Sequence, residues 1–214
     1  MDAVLFDMDG LLVDTEKLWF QVESEVMRRL GARWDTADQE QLVGGSMPAT
    51  VSYMLQRSGS DRHPAELEAW LLDGLLVLLA QGFDLMPGAA ELLAEVRASG
   101  VPTGLVTSST RIVAEAVIGA IGPANFDIVV TGDDVQRYKP DPEPYLRAAR
   151  MLGADPARCA ALEDSPNGVA AATAAGCAVV AVPSVLPIPP GPRRLVADTL
   201  KQIDLPTLQA LVLS

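Results

Sequence analysis

Apolar residues fall in two rhythms along this chain, and the boundary between them divides it. The run Ala3-Val4-Leu5-Phe6 reads as a buried strand and passes straight into Asp7-Met8-Asp9-Gly10. On extended backbone, residues i and i+2 share a face, so Asp7 and Asp9 converge if the strand continues, and Gly10 permits a sharp departure. After Thr15, which can cap a helix, Leu18, Val22, Val26 and Leu30 recur every fourth residue with Trp19 beside them, and Gly31 marks the stop. Further helices are expected near Asp38 to Val43, Pro48 to Gln56 and Pro64 to Gln81. No strand is evident from 16 to 83.

From Pro87-Gly88 the rhythm changes to strict alternation. Helices are predicted up to Ser99, from Thr110 to Ile121, from Pro142 to Leu152 and from Pro166 to Ala175. Between them lie short apolar strands: one ending at Leu105-Val106-Thr107, then Phe126 to Thr131, Cys159 to Leu162, and Cys177 to Val182. Helices regularly spaced between such strands imply an α/β fold, a Rossmann-like parallel sheet covered by helices on both faces. Residues 183–192 hold five prolines and no period, which predicts a rigid surface connection. A last strand near Val196 and a helix from Leu205 to Leu213 complete the chain. The expected division is a core of residues 1–15 and 84–214 with an all-helical block, 16–83, set into it.

Composition narrows the function. Among 214 residues, 49% are hydrophobic, ample for a packed core, while 16 Lys and Arg against 28 Asp and Glu give a formal net charge of -12. No basic stripe exists for nucleic acid or an anionic membrane surface, so neither is an expected partner. Cys159 and Cys177, both in apolar stretches, read as reduced core thiols. Asp2 and Asp7 interrupt the N-terminus before any signal-like apolar segment, and the run from Leu71 to Ala80 is too short to span a bilayer. The expectation is a cytoplasmic protein, a monomer or weak dimer.

In an open parallel sheet, ligands bind beyond the carboxyl ends of the strands. Polar residues stand at four such places: Asp7 and Asp9, Thr107-Ser108-Ser109, Lys139, and Glu163-Asp164. Each alone has an ordinary reading as a solvated loop, a helix cap or an exposed charge. Four coincidences at four equivalent strand ends make the weaker account.

Taken in order, Asp7-Met8-Asp9-Gly10, Thr107-Ser108, Lys139-Pro140 and Glu163-Asp164-Ser165-Pro166-Asn167-Gly168 resemble the four motifs of the haloacid dehalogenase superfamily. The stretch Asp7 to Trp19 is most similar to its sugar-phosphate phosphatases and β-phosphoglucomutase-like proteins, including hexitol and 2-deoxyglucose-6-phosphate phosphatases. The resemblance covers nearly the whole chain, and the helical block looks like the family's inserted cap.

It implies Asp7 as a nucleophile forming an aspartyl-phosphate and Asp9 as the general acid and base. It implies Thr107, Ser108 and Lys139 as ligands of the transferring phosphoryl group. It further implies Mg²⁺ held by Asp7, the Asp9 backbone carbonyl and Asp164, with Glu163 bound through water or behind them. Asp14 has two readings, a brace for the turn or a catalytic contributor, while Asn167 and Gly168 would position the metal loop.

The cap would exclude water and select the leaving group. In β-phosphoglucomutase a histidine in the first cap helix and an arginine after the second serve the mutase reaction; Trp19 and Met47 stand in those places here. Hydrolysis of a small sugar or polyol phosphate is therefore expected over isomerisation. Trp19 is open to two readings, stacking on a sugar or packing in the core, and His63 reads as a solvated turn residue. A dehalogenase would not need Asp9, and a non-catalytic phospho-receiver would have no use for the helical block.

Overall fold

A computed structural model describes residues 1–214. Six strands form one parallel sheet in the order β3-β2-β1-β4-β5-β6: β1 (Ala3–Phe6), β2 (Thr103–Val106), β3 (Ile128–Val130), β4 (Cys159–Glu163), β5 (Ala178–Ala181) and β6 (Arg194–Val196). The central strand β1 lies between β2 and β4, with Val4 opposite Thr103 and Ala160. Its alternating side chains feed two cores, one on each face. Val4 and Phe6 pack with residues of α5 (Ala89–Ser99) and α6 (Arg111–Ile121). Ala3 and Leu5 pack with α7 (Glu143–Leu152) and α8 (Pro166–Ala175), and α9 (Leu205–Leu213) closes the first face. Both faces are dry, which is why these strands read as unbroken apolar runs.

Between β1 and β2 the chain is helical: α1 (Glu16–Arg29), α2 (Thr36–Glu40), α3 (Met47–Ser58) and α4 (Pro64–Gln81). The apolar stripe of α4, Leu67, Leu71, Leu75 and Leu79, is buried against α1 and α3. The segments entering and leaving these helices run side by side, with Val13 bridged to Leu85 and Asp14 N–H donating to the Asp84 carbonyl at 2.9 Å.

Three expectations shift. The short second helix begins earlier than Asp38, because Asp35 caps it and Asp38 returns a bond to the Asp35 N–H, a capping box that the apolar pattern does not reveal. Thr15 precedes α1 but makes no cap bond; its hydroxyl is used elsewhere. The proline-rich connection is more than a surface strap, since Ile188 is buried in the second core and Ser184 reaches into the cluster described below. His63 is exposed as expected, and its Nδ1 accepts from Ala65 N–H at the start of α4. No helix is long and apolar enough to cross a membrane.

Candidate active site

The strand ends β1, β2 and β4 bring the sequence candidates to one edge of the sheet. Asp7 follows β1, Glu163 ends β4 and Asp164 follows it, so register alone places three carboxylates side by side. An oxygen of each lies within 4.8 Å of the others, and all three residues are buried. Lys139, equally buried, reaches them from the loop before α7. Its Nζ donates to Asp7 Oδ1 and Glu163 Oε1, both at 2.6 Å, and to the Val106 carbonyl at 2.8 Å. The Tyr145 hydroxyl of α7 also donates to Glu163 Oε1.

One ammonium cannot neutralise three carboxylates. Burial drives the Asp7 carboxyl well above the usual carboxylate range, with Glu163 and Asp9 adding to the rise against the pull of Lys139. Burial, then Asp7 and Glu163, do the same to Asp164. Burial opposes charge on Lys139, yet Asp7 and Glu163 outweigh it and hold the ammonium protonated above its ordinary range. Glu163 Oε2 is buried with no partner. An all-oxygen donor set with surplus negative charge and an orphaned carboxylate oxygen fits a hard divalent cation such as Mg²⁺.

Two glycines allow this crowding. A Cβ on Gly168 would stand 1.9 Å from Glu163 Oε2, and one on Gly10, where φ is +74°, would stand 2.1 Å from Asp164 Oδ2. Ser184 Oγ donates to Asp164 Oδ2 at 2.5 Å.

Asp9 is held differently. Thr15 Oγ1 donates to its Oδ1 at 2.6 Å, and Ser109 Oγ and Thr107 Oγ1 donate to its Oδ2 at 2.7 and 3.2 Å. Thr107 Oγ1 also accepts the Ser109 N–H at 3.0 Å, while the buried hydroxyls of Ser108 and Thr110 have no partner. Asp14 pairs at 2.5 Å with the exposed Lys17. Asn167 Nδ2 donates toward the Val43 carbonyl at 3.5 Å, so it ties the core to the loop after α2 rather than to the acids.

The helical block roofs this edge. The cavity beneath it is lined by Asp7, Asp9, Thr107, Ser108, Lys139 and Asp164 below, and by Glu16, Trp19, Glu23, Gln39 and Met47 above. Trp19 lines the cavity and packs on the core. Glu16, Glu23, Ser184 and Tyr145 were not anticipated, while Ser109 stood among the strand-end candidates without a role and Thr15 was expected only as a helix cap. Glu16, Trp19 and Glu23 recur at i, i+3 and i+7, one helix face, and that stripe was a usable signal. Ser184 and Tyr145 gave none, being a loop serine and an aromatic in an apolar helix face.

Glu16 and Glu23 make a pH prediction. Burial, with the like charge of Asp9 adding to it, pushes the Glu16 carboxyl up to about 7, and burial with neighbouring Glu16 pushes Glu23 up to about 8. The unfolded chain ionises both near 4.5, so between that pH and about 8 the folded chain binds more protons and its stability falls as pH rises. Glu23→Gln removes one of these two proton-binding groups. Thermal melts should show the variant gaining on wild type by a few kcal/mol between pH 5 and pH 8.5; parallel curves would contradict the assignment.

Comparison with known proteins agrees with this architecture. The haloacid dehalogenase-like hydrolase family profile matches residues 1–176, and the chain belongs to that family. It is a phosphatase enzyme of the sugar-phosphatase and β-phosphoglucomutase-like group. It is 35% identical over 195 residues to protein CbbY of Rhodobacter capsulatus, covering 86% of each chain. It is 35% identical to hexitol phosphatase A of Escherichia coli, covering 83% of this chain and 81% of that protein. The crystal structure of CbbY from Rhodobacter sphaeroides in complex with phosphate superimposes with a TM-score of 0.88 at 29% identity, covering 97% of this chain and 99% of that one. A mutant of the same protein was solved with xylulose-(1,5)bisphosphate, TM-score 0.85 at 27% identity and the same coverage.

Proposed function

We propose that this enzyme hydrolyses the phosphate monoester of a small sugar or polyol through an aspartyl-phosphate on Asp7, with Mg²⁺ as its cofactor. The observation that carries the reading is the convergence of Asp7, Lys139, Glu163 and Asp164 beside an Asp9 carboxylate fixed by three hydroxyls. Asp7 Oδ1 is engaged by Lys139, which leaves Oδ2 as the attacking oxygen. Attack on phosphorus transfers the phosphoryl group to Oδ2 and expels the sugar oxygen, which takes a proton from the Asp9 carboxyl. The Asp9 carboxylate then removes a proton from water as that water attacks phosphorus, releasing phosphate and restoring Asp7. Thr107 and Ser108, at the end of β2, would bind the phosphoryl oxygens, and Lys139 would neutralise them. Asp7, the Asp9 carbonyl and Asp164 would hold Mg²⁺, with Glu163 close behind. The ion supplies positive charge that lets a carboxylate approach a phosphate dianion.

Residues 16–83 act as the cap in this reading and 1–15 with 84–214 as the core. The name of hexitol phosphatase A, and the CbbY structures solved with phosphate and with xylulose-(1,5)bisphosphate, favour a phosphorylated metabolite as substrate. A monophosphate is favoured over a bisphosphate because Lys139 is the sole cationic side chain lining the cavity. A phosphate-release screen over sugar, polyol and nucleotide monophosphates should find Mg²⁺-dependent turnover of a sugar or polyol phosphate, abolished by chelation. An isomerised phosphosugar without free phosphate would instead establish a mutase, and turnover of nothing would refute the reading.

A further inference from the structure

The cap wall of the cavity carries negative charge that the proposed hydrolysis does not use. Glu16 and Glu23 both face the cavity from α1, and no lysine or arginine lines it on that side. Glu16 is engaged by Gln39, whose Nε2 donates to the Glu16 carbonyl at 3.1 Å and to Oε2 at 3.2 Å. Glu23 is 5% exposed and has one partner, Trp34 Nε1, which donates to Oε2 at 3.1 Å. That bond fixes the carboxyl in place and spends one oxygen. The other has no protein donor and is not sealed from solvent, which leaves it free to accept from a hydroxyl in the cavity.

The remaining cation, Lys139, is committed to Asp7 and Glu163. A substrate whose far end bore a second phosphate would place a dianion against two acids with no counter-charge. A hydroxylated, uncharged tail meets the opposite situation: its O–H groups find acceptors in Glu16 and Glu23 and, when Glu23 is protonated, a donor as well. Specificity here has both an attractive and a repulsive component.

Resting on the hydrolase reading above, we propose that Glu23, braced by Trp34, is a specificity-determining residue that binds a hydroxyl of an uncharged polyol tail and excludes a second phosphate. The alternative is that Glu23 only braces Trp34 in the cap.

The test compares kcat/KM at pH 9, where both Glu16 and Glu23 carry their charge, for glucitol 6-phosphate, fructose 1,6-bisphosphate and p-nitrophenyl phosphate, each with Mg²⁺, in wild type, Glu23→Gln and Glu23→Leu. Wild type should prefer the monophosphate over the bisphosphate by about a hundredfold. Glu23→Gln retains an acceptor for Trp34 and loses the charge, so it should narrow that preference at least about tenfold by improving bisphosphate turnover. Glu23→Leu should lose glucitol 6-phosphate activity at least about tenfold more than p-nitrophenyl phosphate activity, the size of one hydrogen bond to a charged group. If Glu23→Leu does not fold, the Gln variant alone decides. Unchanged ratios, or a wild type that takes the bisphosphate equally well, overturn the proposal while leaving hydrolysis standing. Failure to turn over any of the three overturns hydrolysis and this inference together.

Discussion

Asp7→Asn should lower phosphate release by more than about a thousandfold with little loss of folding stability, because an amide cannot serve as the attacking oxyanion. The two atoms of the carboxyl have separate duties. Oδ1 accepts from Lys139 at 2.6 Å, and a carboxamide oxygen still accepts that bond. The fold should therefore survive. The variant also removes one of three mutually repelling buried carboxylates, which favours an equal or higher melting temperature. Measured turnover within about tenfold of wild type would remove Asp7 from the nucleophile's place.

Lys139→Ala should be damaging in the other direction, costing folding stability as well as activity. The Lys139 side chain is 2% exposed, and its ammonium bonds two carboxylates and the Val106 carbonyl. Removing one partner of a buried ion pair leaves uncompensated charge, a loss of about 3–5 kcal/mol. For a chain of this length that corresponds to a drop on the order of 10 °C in Tm. Both orphaned carboxylates can escape by taking up protons, so the deficit should be larger at pH 8 than at pH 5. Urea denaturation at the two pH values checks this. A variant within 1 kcal/mol of wild type at pH 8 would mean that Lys139 is not the counter-charge holding the acids together.

Much of the fold was legible because its signals are local. Unbroken apolar runs marked β1 and β4, and the glycine after Ser99 and after Leu152 sits where the chain turns left-handed to leave a helix. The start of α2 was not legible from apolar periodicity, since the Asp35–Asp38 capping box that sets it is polar. The acids, Lys139 and Thr107 were recognisable as strand-end residues, and the parallel register brings them together. What remained hidden depends on pairing across distance. Thr15 looked like a cap until its hydroxyl was found on Asp9, and Ser184 lies 20 residues beyond the Asp164 it touches. Tyr145 belongs to the same class: it is buried in a helix whose sequence gives no sign of Glu163 opposite.

The central claim is a covalent phosphoryl group on Asp7, and rapid acid quenching during turnover of glucitol 6-phosphate with Mg²⁺ tests it directly. Peptide mass spectrometry should find the mass of one phosphoryl group on the peptide spanning residues 1–17, removable by hydroxylamine as an acyl phosphate is. A hydroxylamine-resistant phosphate on Thr107 or Ser108, or turnover with no phosphorylated peptide and no loss of activity in Asp7→Asn, would contradict it.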